Sequence, residues 1–172
     1  MTHANDFVAL NIAILTVSDT RSLDTDTSGQ ALVDALTHAG HTLGAREIVK
    51  DDIYQIRAAV SGWIAQPDIQ AVLITGGTGF AGRDSTPEAV TPLLDKTIEG
   101  FGELFRSVSY EEIGTSTMQS RALGGLANYT AIFCLPGSTN ACKTGWRLIE
   151  PQLDARHKPC NFVALLQQKS RD

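Results

Sequence analysis

No apolar run in this chain comes near the roughly 18 consecutive residues that a membrane-crossing helix needs, so no membrane span is expected. Cysteine is scarce. Cys134, Cys142 and Cys160 are odd in number and include no C-x-x-C pair, which argues against a disulfide framework and a zinc site and fits a reducing compartment. Positive charge is in deficit: 14 Lys and Arg face 19 Asp and Glu, a net charge of -5. That is the wrong sign for a surface built around a phosphate backbone, and no nucleic-acid partner is expected. The opening residues carry His3, Asn5 and Asp6 without a basic start and apolar block, so no secretory signal is expected. These absences predict a soluble, cytoplasmic protein.

What is present fits one compact domain. No repeat, low-complexity tract or Ser/Pro-rich linker divides the 172 residues, and 1–172 reads as a single domain with 1–10 and 158–172 as peripheral tails. A chain of this size buries enough surface to fold without covalent staples. Hydrophobic residues at 42% and charged residues at 19% exclude global disorder, collagen and coiled coil. Charge is uneven along the chain: residues 140–172 hold six basic and three acidic side chains, against eight and sixteen before them. The basic residues Arg147, Arg156, His157 and Lys158 read as solvated surface or a subunit contact.

Residues 12–17 (I-A-I-L-T-V) form a continuous apolar run ending at Ser18 and Asp19, the pattern of a strand covered on both faces. Ser28 is placed to cap a helix carrying Leu32, Val33, Leu36 and Ala39. A weaker strand covers 42–49. Asp52 caps the clearest helix, with Ile53, Ile56, Val60, Trp63 and Ile64 on one face and Gln55 in position for a capping box. Residues 71–75 are again wholly apolar and run into Gly76-Gly77-Thr78-Gly79. This alternation predicts an α/β fold with a largely parallel sheet and helices on both faces.

Farther on, Ser85 or Thr86 caps a helix opening at Thr86-Pro87-Glu88, which Pro92 limits. Phe101, Leu104, Phe105 and Val108 mark the apolar face of another helix running to about 112. Two apolar stretches within 122–135 meet across Asn128-Tyr129 as a hairpin, which makes one strand antiparallel. Pro136-Gly137-Ser138 then turns into a helix with Ala141, Trp146, Leu148 and Ile149. Trp63 and Trp146 read as core.

In a parallel sheet, ligands bind beyond the carboxyl ends of the strands. Ser18-Asp19, Asp51-Asp52, residues 76–84 and Pro136-Gly137-Ser138 all fall there. Gly77, Gly79 and Gly82 satisfy G-x-G-x-x-G, but the helix starts only at Pro87 and no acidic residue ends a strand about 20 positions on, which argues against a dinucleotide site. Arg83 and Asp84 replace the Lys and Ser/Thr of a P-loop. What remains is a tight turn or an anion-binding nest of backbone amides, and four glycines favour the nest. Asp84 beside such a nest repels an anion unless Mg²⁺ bridges the two, the arrangement of phosphoryl or nucleotidyl transfer. Asp51 is either a second carboxylate or part of a helix cap. Arg83 either stabilises phosphate charge or pairs with Asp84. His38, His41 and His157 are scattered, and no serine–histidine spacing suggests a hydrolase triad.

The run L-I-T-G-G-T-G-F-A-G-R-D-S-T-P-E-A at 73–89, with T-V-S-D at 16–19 and L-P-G-S at 135–138, resembles the molybdenum cofactor biosynthesis proteins of the molybdopterin adenylyltransferase type. G-F-G-E-L-F-R at 100–106, E-E-I-G-T-S-T at 111–117 and P-Q-L-D-A-R at 151–156 resemble the B-type branch. The resemblance implies a three-layer α/β/α fold with a mostly parallel sheet and one antiparallel strand, in a homo-oligomer that is a trimer or hexamer. It implies Mg²⁺-dependent transfer of AMP from ATP to the terminal phosphate of molybdopterin, with a molybdenum-insertion protein as a further partner. The alternative within the same pathway is a non-catalytic oligomer that binds or carries molybdopterin; a nucleotide-binding regulator outside it ranks last. Matched position by position, Asp51 and Asp84 are the two functional acids that handle Mg²⁺ and the reacting phosphates. Gly76, Gly77, Thr78 and Gly79 are the phosphate loop. Ser18, Ser120, Pro136, Gly137 and Ser138 line the pterin and nucleotide pocket. Lys50 stands before Asp51 where many adenylyltransferases carry proline.

Overall fold

A strand with helices on both faces must hide nearly every side chain, and the first apolar run does so. In the computed structural model, which describes residues 6–170, this run forms β1 (Asn11–Val17). Ile12 and Ile14 face one apolar cluster with Leu32 and Leu36, while Ala13, Leu15 and Val17 face another with Ile56, Val60 and Trp63. The period-two alternation of a strand thus feeds two cores at once. Each fully buried Ile or Leu contributes about 1.5–3 kcal/mol by leaving water.

The chain continues through α1 (Thr27–His38), β2 (Thr42–Val49), α2 (Ile53–Ala65), β3 (Ala71–Thr75), the short α3 (Thr86–Val90), β4 (Lys96–Thr97), α4 (Glu99–Ile113), β5 (Leu123–Ala127), β6 (Thr130–Leu135), α5 (Thr139–Ile149) and α6 (Val163–Leu166). The sheet order is β2-β1-β3-β6-β5-β4. β2, β1, β3 and β6 are parallel, and β5 alone runs against its neighbours. The three-layer α/β/α arrangement with one antiparallel strand is therefore observed. From β1 the chain passes to β2 on one side and returns to β3 on the other, with α1 and α2 in opposite layers. The connections diverge at the carboxyl ends of β1 and β3, and a crevice opens there.

Several local expectations hold. Asp52 caps α2 by accepting from the amides of Tyr54 and Gln55. The hairpin turns at Asn128 and Tyr129, both with positive φ, as a type I′ two-residue loop requires. Trp63 and Trp146 are buried.

Others are corrected. Asp26, not Ser28, caps α1: its carboxylate accepts from Gly29 N at 2.9 Å, and Ser28 lies inside the helix donating to Gly137 O. The capping box at Gln55 does not form, because the Asp52 amide donates to Lys50 O instead. In α4 the buried stripe is Phe101, Phe105 and Ser109, and Leu104 is 52% exposed. The two-residue strand β4 was not anticipated, since exposed Lys96 and Thr97 carry no apolar signal.

The described parts of the terminal stretches are packed. Leu10, Val163 and Leu166 join the core, and Lys169 donates its buried ammonium to Trp63 O, Ile69 O and Thr130 Oγ1, covering the last turn of α2. His3 lies outside the described residues.

His41 is buried between Phe7 and Trp146, with Nδ1 accepting from Leu10 N at 3.1 Å and Nε2 without a partner among the described residues. Burial pushes its pKa below the ordinary 6.5, with the Asp154 carboxylate opposing in part. The unfolded chain therefore binds the proton more readily, and stability falls as pH drops below about 6.5. Unfolding midpoints between pH 7.5 and 5 are expected to fall less steeply in His41→Asn. The Asn amide oxygen still accepts from Leu10 N but does not titrate.

Candidate functional site

The crevice is a cleft of about 600 Å³. Ser18, Asp51, Gly76, Gly77, Thr78, Gly79, Asp84, Ser120, Pro136, Gly137 and Ser138 all line it, so the structure brings every site residue expected from the sequence into one place. β1 delivers Ser18, β2 leads to Asp51, β3 runs into the glycine loop and β6 into the Pro136 turn. Phe105, Ser109 and Ile113 of α4 add a wall that the strand ends did not announce.

The glycine loop owes its shape to where its carbonyls go. Gly76 O accepts from Thr86 Oγ1 at 2.8 Å and Gly77 O from Thr86 N at 3.0 Å. Thr78 O accepts from Arg121 N at 3.0 Å, and Gly79 O from Arg121 Nε and Nη2 at 3.1 and 2.7 Å. Among the described residues, the amides of Gly77, Thr78, Gly79 and Phe80 donate to no protein acceptor. Carbonyls tied to one side and amides without partners make a nest for an anion.

Glycine is required at two of these positions. Gly76 and Gly77 have φ of 105° and 70°, and a Cβ there would collide with Val17 O or Thr86 Oγ1. A Cβ on Gly82 would meet nothing within 4 Å. The third glycine of a dinucleotide fingerprint has no packing role here.

Two acids face the same cleft. Asp51 Oδ1 accepts from the amide and hydroxyl of Ser85, the residue that opens α3, at 3.1 and 2.7 Å. Asp84 Oδ2 accepts from Ala81 N at 2.9 Å. Oδ2 of Asp51 and Oδ1 of Asp84 have no hydrogen-bond donor among the described residues. Arg83 pairs with Asp19 rather than Asp84, with Nε 2.8 Å from the carboxylate. Asp19 also accepts from Asp51 N at 3.1 Å. That amide, and then the Arg83 guanidinium, hold its carboxyl below the usual range. Sequence reasoning missed Asp19 as the tie between these loops, although it sits in T-V-S-D.

The remaining expected residues divide by how their polar atoms are used. Ser18 Oγ accepts from Thr20 N and Arg21 N, and Ser138 Oγ caps α5 by accepting from Ala141 N. Pro136 O and Gly137 O accept from Thr75 and Ser28, which fixes the turn. Ser120 differs: it is 9% exposed, and its buried hydroxyl has no partner among the described residues. A buried hydroxyl without a protein partner on a cleft wall can bond a water or a ligand that enters the cleft. Among the described residues, no three His, Cys, Asp or Glu side chains converge to hold a metal alone.

Residues 13–155 match the family described as a probable molybdopterin binding domain. The chain is 57% identical over 160 residues to molybdenum cofactor biosynthesis protein B of Escherichia coli, covering 92% of this chain and 94% of that one. The protein of that name from Bacillus subtilis is 46% identical, with 81% and 84% covered. Among solved structures, a molybdenum cofactor biosynthesis protein B superposes with a TM-score of 0.85 at 43% identity, covering 96% and 98%. A tungsten cofactor synthesizing protein from Pyrococcus furiosus follows with 0.78 at 32%, covering 94% and 98%.

The glycine geometry separates two substitutions. Gly77→Ala is expected to lower the free energy of unfolding by about 2 kcal/mol or more, since positive φ and the Thr86 contact both oppose a methyl group. Gly82→Ala stays within about 0.5 kcal/mol of the parent. Urea denaturation of both variants measures the contrast.

Proposed function

Because the chain belongs to the molybdopterin-binding domain family of molybdenum cofactor biosynthesis proteins, we propose that it adenylylates molybdopterin, transferring AMP from magnesium-bound ATP with release of pyrophosphate. The observation that carries this reading is the loop of residues 76–79, whose carbonyls are tied outward while adjoining amides stand without acceptors. Such a loop binds phosphate without needing a side-chain cation.

Asp51 and Asp84 supply what an anion nest alone does not need. Two carboxylates beside a phosphate site repel the ligand unless a divalent cation is shared between them, and each has an oxygen with no hydrogen-bond donor. Mg²⁺ suits this donor set, since it is commonly held by one or two carboxylates together with substrate phosphates. When bound, it would neutralise charge on the triphosphate and its leaving group. In the reaction, an oxygen of the molybdopterin phosphate bonds to the α-phosphorus while the bond from that phosphorus to the β-bridging oxygen breaks, and pyrophosphate leaves with the electron pair. The protein contributes alignment and charge placement. The Ser120 hydroxyl and the α4 wall accommodate the pterin end.

We also propose that the chain is a homo-oligomer, a trimer or hexamer. Tyr110 and Ile113, one turn apart on α4, and Met118 just beyond it, are each half or more exposed, and Ile113 also lines the cleft. A neighbouring chain against this face would cover them and extend the cleft wall.

Asp84→Ala is expected to lower AMP transfer by about 100-fold or more while the unfolding midpoint holds, with pyrophosphate release from ATP and molybdopterin as the readout. A wild-type protein that binds molybdopterin in calorimetry but neither binds nor turns over Mg-ATP would instead be the carrier. Sedimentation is expected to give a multiple of 18.4 kDa, falling to the single-chain mass when Tyr110 and Met118 are both changed to Glu.

A further inference from the structure

We propose that Arg121 positions the glycine loop and Asp84 for magnesium-bound triphosphate, an inference that rests on the nucleotide reading above. Its backbone amide donates to Thr78 O at 3.0 Å. Its Nε and Nη2 reach Gly79 O at 3.1 and 2.7 Å, and Nη2 also reaches Asp84 O at 3.0 Å. Nη1 pairs with Glu88 in α3, and the guanidinium lies 5.1 Å from the centroid of the Phe80 ring. One side chain therefore grips the loop on both sides of its exposed tip.

The direction of these bonds sets their consequence. A trans peptide points its C=O and the next residue's N–H to opposite sides, so drawing a carbonyl outward turns the following amide inward. Holding Thr78 O and Gly79 O thus aims the amides of Gly79 and Phe80 away from Arg121. Holding Asp84 O fixes the peptide whose other end, Ser85 N, donates to Asp51 Oδ1 at 3.1 Å. That single peptide, pinned by Arg121 on one side and by Asp51 on the other, keeps the two acids in register. A lysine cannot reproduce this, because a single ammonium cannot span Gly79 O, Asp84 O and Glu88 in a planar fork. Glu88 keeps the fork in place, and the bond from Arg121 holds the Glu88 carboxyl below its ordinary range.

Amide exchange and nucleotide calorimetry on Arg121→Ala, Arg121→Lys and Glu88→Gln test this. In Arg121→Ala, the hydrogen-bonded loop amides of Ala81, Asp84, Ser85 and Thr86 are expected to exchange about tenfold faster or more, while those of β1, β3 and β6 hold their protection. Affinity for Mg²⁺ with α,β-methylene-ATP is expected to fall about tenfold, a change of about 1.4 kcal/mol, and added methylguanidinium restores part of it. Arg121→Lys recovers only a fraction of that affinity, and Glu88→Gln gives an intermediate loss. If Arg121→Ala does not fold, the latter two variants carry the same comparison. A folded variant with unchanged loop exchange, or one binding the magnesium nucleotide as tightly as wild type does, overturns the assignment of Arg121 alone. A wild-type protein that binds no magnesium nucleotide overturns the functional reading, and this inference with it.

Discussion

Four successive carbonyl oxygens drawn to one side of a short turn are the constraint on which the cleft depends. A backbone oxygen facing a phosphate would repel it, so a loop that binds anions must dispose of its carbonyls elsewhere. Here Thr86 takes those of Gly76 and Gly77 and Arg121 takes those of Thr78 and Gly79. Neither partner belongs to the loop. Thr86 is wholly buried in α3, and Arg121 stands just before β5, so the loop can have its shape only once the sheet and its helices are assembled.

Charge in and around the cleft is arranged with the same economy. The Asp26 carboxylate is fully buried one residue behind the wall, accepting from Thr16 Oγ1 at 2.6 Å, from Gly29 N and from Arg46, with Arg21 3.8 Å away. An unpaired carboxylate at that depth would be strongly destabilising; this one joins β1, α1 and β2 behind the crevice. Inside the cleft, Asp19 absorbs Arg83, leaving Asp51 and Asp84 without a direct cationic partner among the described residues. The exposed Asp19–Arg83 pair adds little to stability, and its effect is on which charges face a ligand.

What could be read from the chain was local. The apolar runs of β1 and β3, the Asp52 cap and the Asn128-Tyr129 turn each follow from short-range sterics and hydrogen bonding, and the structure has them where the pattern put them. Glycines at 76 and 77 announce a backbone that other residues cannot adopt. The choice of Asp26 over Ser28 as helix cap was not local, because both are good caps and the decision lay with Thr16 and Arg46 on neighbouring strands. The buried face of α4 was read correctly at Phe101 and Phe105 but not at its edges: periodicity favours Leu104 and Val108, whereas packing leaves Leu104 exposed and Val108 half-buried and buries Ser109.

The chain alone thus determined the layers of the fold and the segments that meet at its crevice, because hydrophobic period and backbone freedom are properties of a few adjacent residues. Which side chains hold those segments was decided only on assembly. Arg121 reaching the glycine loop, Asp19 taking Arg83 and Ser120 left with a buried, unpartnered hydroxyl are pairings and omissions between residues distant along the sequence, and no pattern in the chain specifies a hydrogen bond across such distances.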